Sequence, residues 1–244
     1  MNPLPSAPAS GAKVIVALDF PDSASALKLA SRLENLVQWF KVGLELYLSA
    51  GKEIVHALKS KGYFVFLDLK LHDIPNTVAG AVRSAASTGA DMLTLHAAGG
   101  PAMLQAAAEA AGKLSVPPKL LAVSVLTSMD ANQLHAIGVS GSPADQVLRL
   151  AALASRAGIS GLVASPEEIA PLRSGFPDLT LVIPGIRPAG SAVGDQKRIA
   201  TPAAAAAAGA NYLVIGRPIT QAADPAAAAQ AILDEMSAGV TNKS

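Results

Sequence analysis

Short apolar runs rich in β-branched residues recur along the whole chain: "VIVAL" (14–18), "WFKVG" (39–43), "FVFLD" (64–68), "MLTLH" (92–96), "LLAVSVL" (120–126), "GLVAS" (161–165), "LTLVIP" (179–184) and "YLVIG" (212–216). Runs that are apolar throughout, rather than alternating, predict strands buried on both faces, as in a parallel sheet covered by helices. Between them lie stretches with helical spacing, such as "DSASALKLASRLENL" (22–36), "TVAGAVRSAASTG" (77–89) and "ADQVLRLAALASRAG" (144–158), several followed or closed by glycine as a helix C-terminus prefers. Eight strand–helix units in 244 residues predict a single-domain α/β fold, a (β/α)₈ TIM barrel. An open doubly wound sheet shares the alternation. Its dinucleotide fingerprint, however, requires a glycine-rich turn after the first strand, and here that position reads "DFPDS". The barrel is expected over residues 13–238, between an N-terminal tail, 1–12, and a C-terminal tail, 239–244.

Composition narrows the function. The formal charge is +1 and only 15% of residues are charged, so the chain lacks the basic surface that nucleic acid or an anionic membrane demands. A bound phosphate must be met by a local site. The absence of cysteine removes disulfides and thiolate zinc sites and fits a reducing cytoplasm. The opening "MNPLPSAPASGAK" has no apolar segment of the signal-peptide kind. "TPAAAAAAGA" (201–210) reads as helix and is far too short to span a bilayer. A soluble, cytoplasmic protein is expected.

The few polar residues collect where a barrel of this kind carries its chemistry, at the C-terminal ends of the strands. Asp19 ends the first run, Lys41 lies late in the second, Asp68 ends the third with Lys70 just beyond, and His96 ends the fourth. Thr127 and Ser128 follow the fifth, "PGIRP" the seventh and "GRP" the eighth. Each has a plainer reading. Asp19, Asp22 and Asp73 could be helix N-caps; His96 could be a satisfied core histidine; Arg187 and Arg217 could be surface charges beside turn prolines. Lys41 is harder to dismiss, because a lysine inside an apolar strand must find a partner or lose its charge.

Together they argue more than singly. Asp68 and Lys70 are two apart, so in extended chain they point to the same side, and Asp73 lies on a loop held extended by Pro75. Crowded carboxylates push one another toward protonation unless a cation lies between them; Lys70, and Lys41 from the neighbouring strand, supply it. Such a ring of fixed charges needs neither metal nor cofactor. Across the same face, the loops after strands seven and eight are the usual phosphate position of the fold. There the Arg217 fork and the Gly216 amide can grip a phosphate, with help from Arg187.

These residues also carry a resemblance. "FLDLKLHDIPNTV" resembles the D-x-K-x-x-D-I-P-x-T signature of the orotidine 5'-phosphate decarboxylase family, and "VALDF", "FKVGLELYLSAG", "LTLHAAGG", "VLTSM", "VIPGIRPAGSAVGDQKRI" and "YLVIGRPIT" are similar to its other blocks, in the same order. The resemblance covers Val14 to about Thr220. It implies cofactor-free conversion of orotidine 5'-monophosphate to UMP and CO₂. Lys70 would donate the proton to C6, Asp68 would sit beside the departing carboxylate, and Lys41 and Asp73 would complete the charged network. Asp19 and Lys41 would hold ribose hydroxyls, Thr127 the pyrimidine, and Gln196, Arg187, Gly216 and Arg217 the phosphate end. It further implies a homodimer in which Asp73 and Thr77 enter the neighbouring subunit's site. "PAGSAVGDQ" (188–196) is the expected mobile lid. Two other readings compete: a Mg²⁺-dependent sugar-phosphate decarboxylase or aldolase of the same barrel suprafamily, and a nucleotide-phosphate binder without catalysis.

Overall fold

The computed structural model describes residues 11–188 and 198–241, with side chains to 238. Eight parallel strands, β1 (Lys13–Ala17), β2 (Trp39–Gly43), β3 (Phe64–Leu71), β4 (Met92–His96), β5 (Lys119–Val123), β6 (Gly161–Val163), β7 (Thr180–Ile183) and β8 (Tyr212–Ile215), close into a barrel in chain order. Closure is made by β1 pairing with β8, Val14 opposite Leu213 and Ile15 opposite Val214. Helices lie between the strands, so the fold is a (β/α)₈ barrel.

The continuous apolar runs are explained by two distinct cores. Alternate strand residues face opposite sides. One set, with Val16, Phe40, Val65, Leu93, Ala122, Leu162, Leu181 and Leu213, packs with the helices. The other fills the barrel with Ile15, Ala17, Trp39, Phe66, Met92, Leu121, Val182 and Val214. Gly161 is required inside: a Cβ there would come within 2.3 Å of Leu121 Cδ2, so the space belongs to that leucine. Followed upward by twos, the interior positions pass from Trp39 to Lys41, from Phe66 to Asp68 and from Met92 to Thr94 and His96. The barrel is therefore apolar below and charged at its mouth.

Local signals act as expected at several helix starts. Asp22 caps the helix Ser23–Arg32, its carboxylate accepting from the Ser25 amide at 2.8 Å, which leaves Asp19 free of that duty. The boundaries differ at several places; β5, for example, ends at Val123 where its apolar run continues to 126. Ala12, assigned to the tail, is fully buried in the core; the last helix, Pro225–Thr241, runs past 238; and β3 continues three residues beyond Asp68 to Leu71. No helix among the described residues is long and apolar enough to cross a membrane.

Candidate active site

Four charged residues form a chain across the mouth. Asp19, just after β1, accepts from Lys41 Nζ at 2.8 Å. The same ammonium lies 3.7 Å from Asp68 Oδ2, and Lys70 Nζ donates to Asp68 Oδ1 at 2.9 Å. Lys41 and Asp68 are nearly enclosed, with side chains 11% and 13% exposed, while Lys70 is 32% and Asp19 58% exposed. Gly43 makes this possible, since a Cβ there would meet Lys41 Nζ at 2.7 Å and Asp19 Oδ1 at 3.1 Å.

Burial alone would push the Asp68 carboxyl up. The ammonium groups of Lys41 and Lys70, with hydrogen bonds from Lys70 and Thr94, outweigh it and hold Asp68 below the ordinary 3.8. It is thus a carboxylate at neutral pH.

Asp68 and Lys70 share a side for a different reason from the one the extended spacing predicts. The pairing of β3 with β4 shifts register between Leu67, opposite Leu93, and Leu71, opposite Leu95. Within that irregularity Lys70 has φ 51°, the one positive φ among the described non-glycine residues. Such a conformation costs an L-residue about 1–2 kcal/mol, and it occurs at the residue whose ammonium faces the pocket. Thr94 stabilises the distortion. Its hydroxyl accepts from the Lys70 amide at 2.9 Å and donates to Asp68 Oδ1 at 3.0 Å. Sequence reasoning passed over this residue because "LTLH" reads as an ordinary apolar strand; its place two positions before His96, on the inward face, was the available signal.

Beside the charges lies a cavity of about 240 Å³. Lys41, Asp68, Lys70 and Phe66 form one wall; Val123, Val125, Leu126, Val163, Ala164, Pro184 and Val214 form an apolar wall, with Thr127 and Ser128 at its edge. A second ion pair stands behind that wall and was not anticipated. Glu168 and Arg198, 2% and 7% exposed, are hydrogen-bonded to each other. Glu168 also accepts from the Ser165 amide and hydroxyl, and Arg198 donates to the Leu126 carbonyl at 3.1 Å. It thereby ties together the strand ends that carry Leu126 and Ala164.

Other expected residues lie apart from the cavity lining. Asp73 and Thr77 are exposed, and Asp73 accepts from the Ile74 amide at 2.6 Å rather than capping the helix Pro75–Ala86. Gly216 is the N-cap residue, and exposed Arg217 the first residue, of the short helix Arg217–Thr220 after β8. Arg187 is buried and donates to the Ile186 carbonyl at 2.8 Å. Gln196 and all of 188–196 but its first residue fall outside the described residues. His96 packs its ring 5.4 Å from that of His72; burial first, then His72 and Lys70, hold it below 6.5.

A closed parallel barrel with an ion array and a half-apolar cavity at the C-terminal ends of its strands defines a (β/α)₈-barrel enzyme. Residues 12–232 match the profile of the orotidine 5'-phosphate decarboxylase / HUMPS family, and the chain belongs to that family. Proteins named orotidine 5'-phosphate decarboxylase from Halorhodospira halophila and Moorella thermoacetica are 54% and 53% identical to it. The first match covers 93% of this chain and 96% of the relative; the second covers 92% of each. The crystal structure of orotidine 5'-phosphate decarboxylase from Lactobacillus acidophilus superposes with a TM-score of 0.81 at 39% identity, over 92% of this chain and 99% of that one.

Proposed function

We propose that this enzyme decarboxylates orotidine 5'-monophosphate to UMP and CO₂, with Lys70 as proton donor. The observation that carries the reading is the Lys70 ammonium held 2.9 Å from an ionised, nearly enclosed Asp68 against an apolar wall. The bond from C6 to the carboxylate carbon breaks, CO₂ leaves, and the electron pair stays on C6. Lys70 Nζ–H then gives its proton to C6, and the neutral amine recovers a proton from water. Because the carbanion is poorly delocalised, catalysis depends on charge that meets it near the transition state. Asp68 acts twice: it orients the ammonium, and it repels the substrate carboxylate until CO₂ departs. The apolar wall excludes water and takes up uncharged CO₂, which strengthens each charge interaction beside it.

Asp19 and Lys41 serve the ribose hydroxyls, Thr127 the pyrimidine, and Gly216 and Arg217, with Arg187 and Gln196, the phosphate. The phosphate does not react; its binding energy orders the site. Asp73 and Thr77 complete the network in a neighbouring subunit. Large apolar side chains left exposed, Ile74 between them and Leu44 and Leu48 on the helix Leu44–Ala50, support a homodimer. A cytoplasmic location fits a nucleotide-synthesising enzyme without cysteine.

The test is loss of the nucleotide's ultraviolet absorbance after EDTA treatment, with Lys70→Ala inactive. Turnover of a sugar phosphate with a strict metal requirement would favour the Mg²⁺-dependent alternative. Tight UMP binding without turnover would favour a binding protein.

A further inference from the structure

We propose that Thr94 is a positioning residue for the decarboxylation: its single hydroxyl fixes both the Asp68 carboxylate and the backbone from which the Lys70 ammonium projects. The inference rests on the assignment of Lys70 as proton donor. Between the paired positions Leu67–Leu93 and Leu71–Leu95, β3 has Asp68, Leu69 and Lys70 where β4 has Thr94 alone between its paired leucines. Three residues facing one cannot continue a regular ladder. The Lys70 amide, turned by φ 51°, donates instead to the Thr94 side chain at 2.9 Å.

A hydroxyl has one proton to donate and lone pairs to accept with. Thr94 uses both functions here, since it also donates to Asp68 Oδ1 at 3.0 Å, the oxygen that receives Lys70 Nζ at 2.9 Å. The three contacts close a small ring: amide to hydroxyl, hydroxyl to carboxylate, carboxylate to ammonium. Full burial of Thr94 denies water the chance to replace it. A valine of the same shape would leave the Lys70 amide without its acceptor and Asp68 without one donor. Serine would preserve both bonds.

The experiment compares Thr94→Val, Thr94→Ser and Lys70→Ala with the unmodified enzyme, counting competent sites by UMP titration so that rates refer to folded protein. Misplacement of a reacting group by about 1 Å costs about a hundredfold. Thr94→Val should therefore lose roughly 10- to 100-fold in kcat per competent site, with KM changed by about twofold or less. Thr94→Ser should stay within about threefold of the parent, because its hydroxyl keeps the geometry.

The acid limb of the kcat profile provides a readout that a purely structural role would not move. It should shift upward in Thr94→Val and stay in place in Thr94→Ser. The charged groups around Asp68 are Lys41 on β2 and Lys70 on β3, with Asp19 reached through Lys41, His96 on β4 reached through Lys70 and, in the proposed dimer, Asp73 from the neighbouring subunit, all unchanged by these substitutions. Parent-like kcat per site and an unmoved acid limb in Thr94→Val, with Lys70→Ala inactive, overturn the Thr94 role alone. Equal impairment of Thr94→Ser and Thr94→Val also overturns it, since the hydroxyl would not be what matters. Full activity in Lys70→Ala instead overturns the reading beneath it.

Discussion

The two walls of the cavity solve the problem of buried polarity in opposite ways. On the wall built from β1 to β3, Asp19, Lys41, Asp68 and Lys70 stay partly open to the mouth and are held by one another and by a distorted backbone. On the wall built from β5 to β8, the cavity surface is apolar, and its ion pair, Glu168 with Arg198, is withdrawn behind it. Open charges can meet a substrate; the enclosed pair can only hold the chain. Exposure and strain, rather than the presence of charge, separate the chemical side from the supporting side.

The sharpest way to break this contrast is Lys70→Ala, which removes the cation facing the carbanion. Loss of one preorganised charge-stabilising group costs about 10²- to 10³-fold. A group that also supplies the proton should cost at least about a thousandfold in kcat, seen as persistence of the nucleotide absorbance, with melting little changed.

Arg198→Met tests the supporting side and should show the reverse profile. It leaves Glu168 buried without its cation, a loss of about 3–5 kcal/mol. For a chain of this size that lowers Tm on the order of 10 °C. Joint replacement by Glu168→Gln and Arg198→Met should recover part of the loss, because no uncompensated charge remains.

Val123→Thr sharpens the comparison at constant volume by placing a hydroxyl on the apolar wall, where Val123 is 2% exposed. About a tenfold loss in kcat/KM is expected, from an unpaired polar group and the water it admits. Parent-like kinetics would show that the wall need not be dry.

Acid should act first at His96 on β4 and then at Asp68 on the charged side. Both His96 and Asp68 are held below their ordinary values, so in each case the unfolded chain binds the proton more readily. Their contributions are fully present above the unfolded values and are lost as pH falls through the folded ones. Stability should decline gently below pH 6.5 as His96 is titrated, and again below 3.8 as Asp68 is. Denaturant melts across this range would detect it, and His96→Asn should remove the first decline.

Much of the fold was legible in the chain. The runs 39–43 and 92–96 coincide with β2 and β4 as they stand in the barrel, because a strand buried on both faces leaves an uninterrupted apolar signature. The placement of Asp19, Lys41, Asp68 and Lys70 around one mouth also followed from counting strand ends, since parallel strands in a closed barrel bring their C-terminal ends to one face.

What the chain could not disclose by itself was partnership across the sheet. Thr94 lies 26 residues from Asp68, and Arg198 lies 30 from Glu168. A threonine in an apolar run has the same local pattern whether or not a neighbouring strand bulges toward it. Likewise, the left-handed turn at Lys70 has no local cause such as glycine; the register shift against β4 and the hydroxyl that meets it impose it. The sequence alone determined the barrel and the charges at its rim, through periodicity and strand-end position. Tertiary structure decided which of those charges touch and which are merely enclosed, because both depend on hydrogen bonds between segments that only barrel closure makes neighbours.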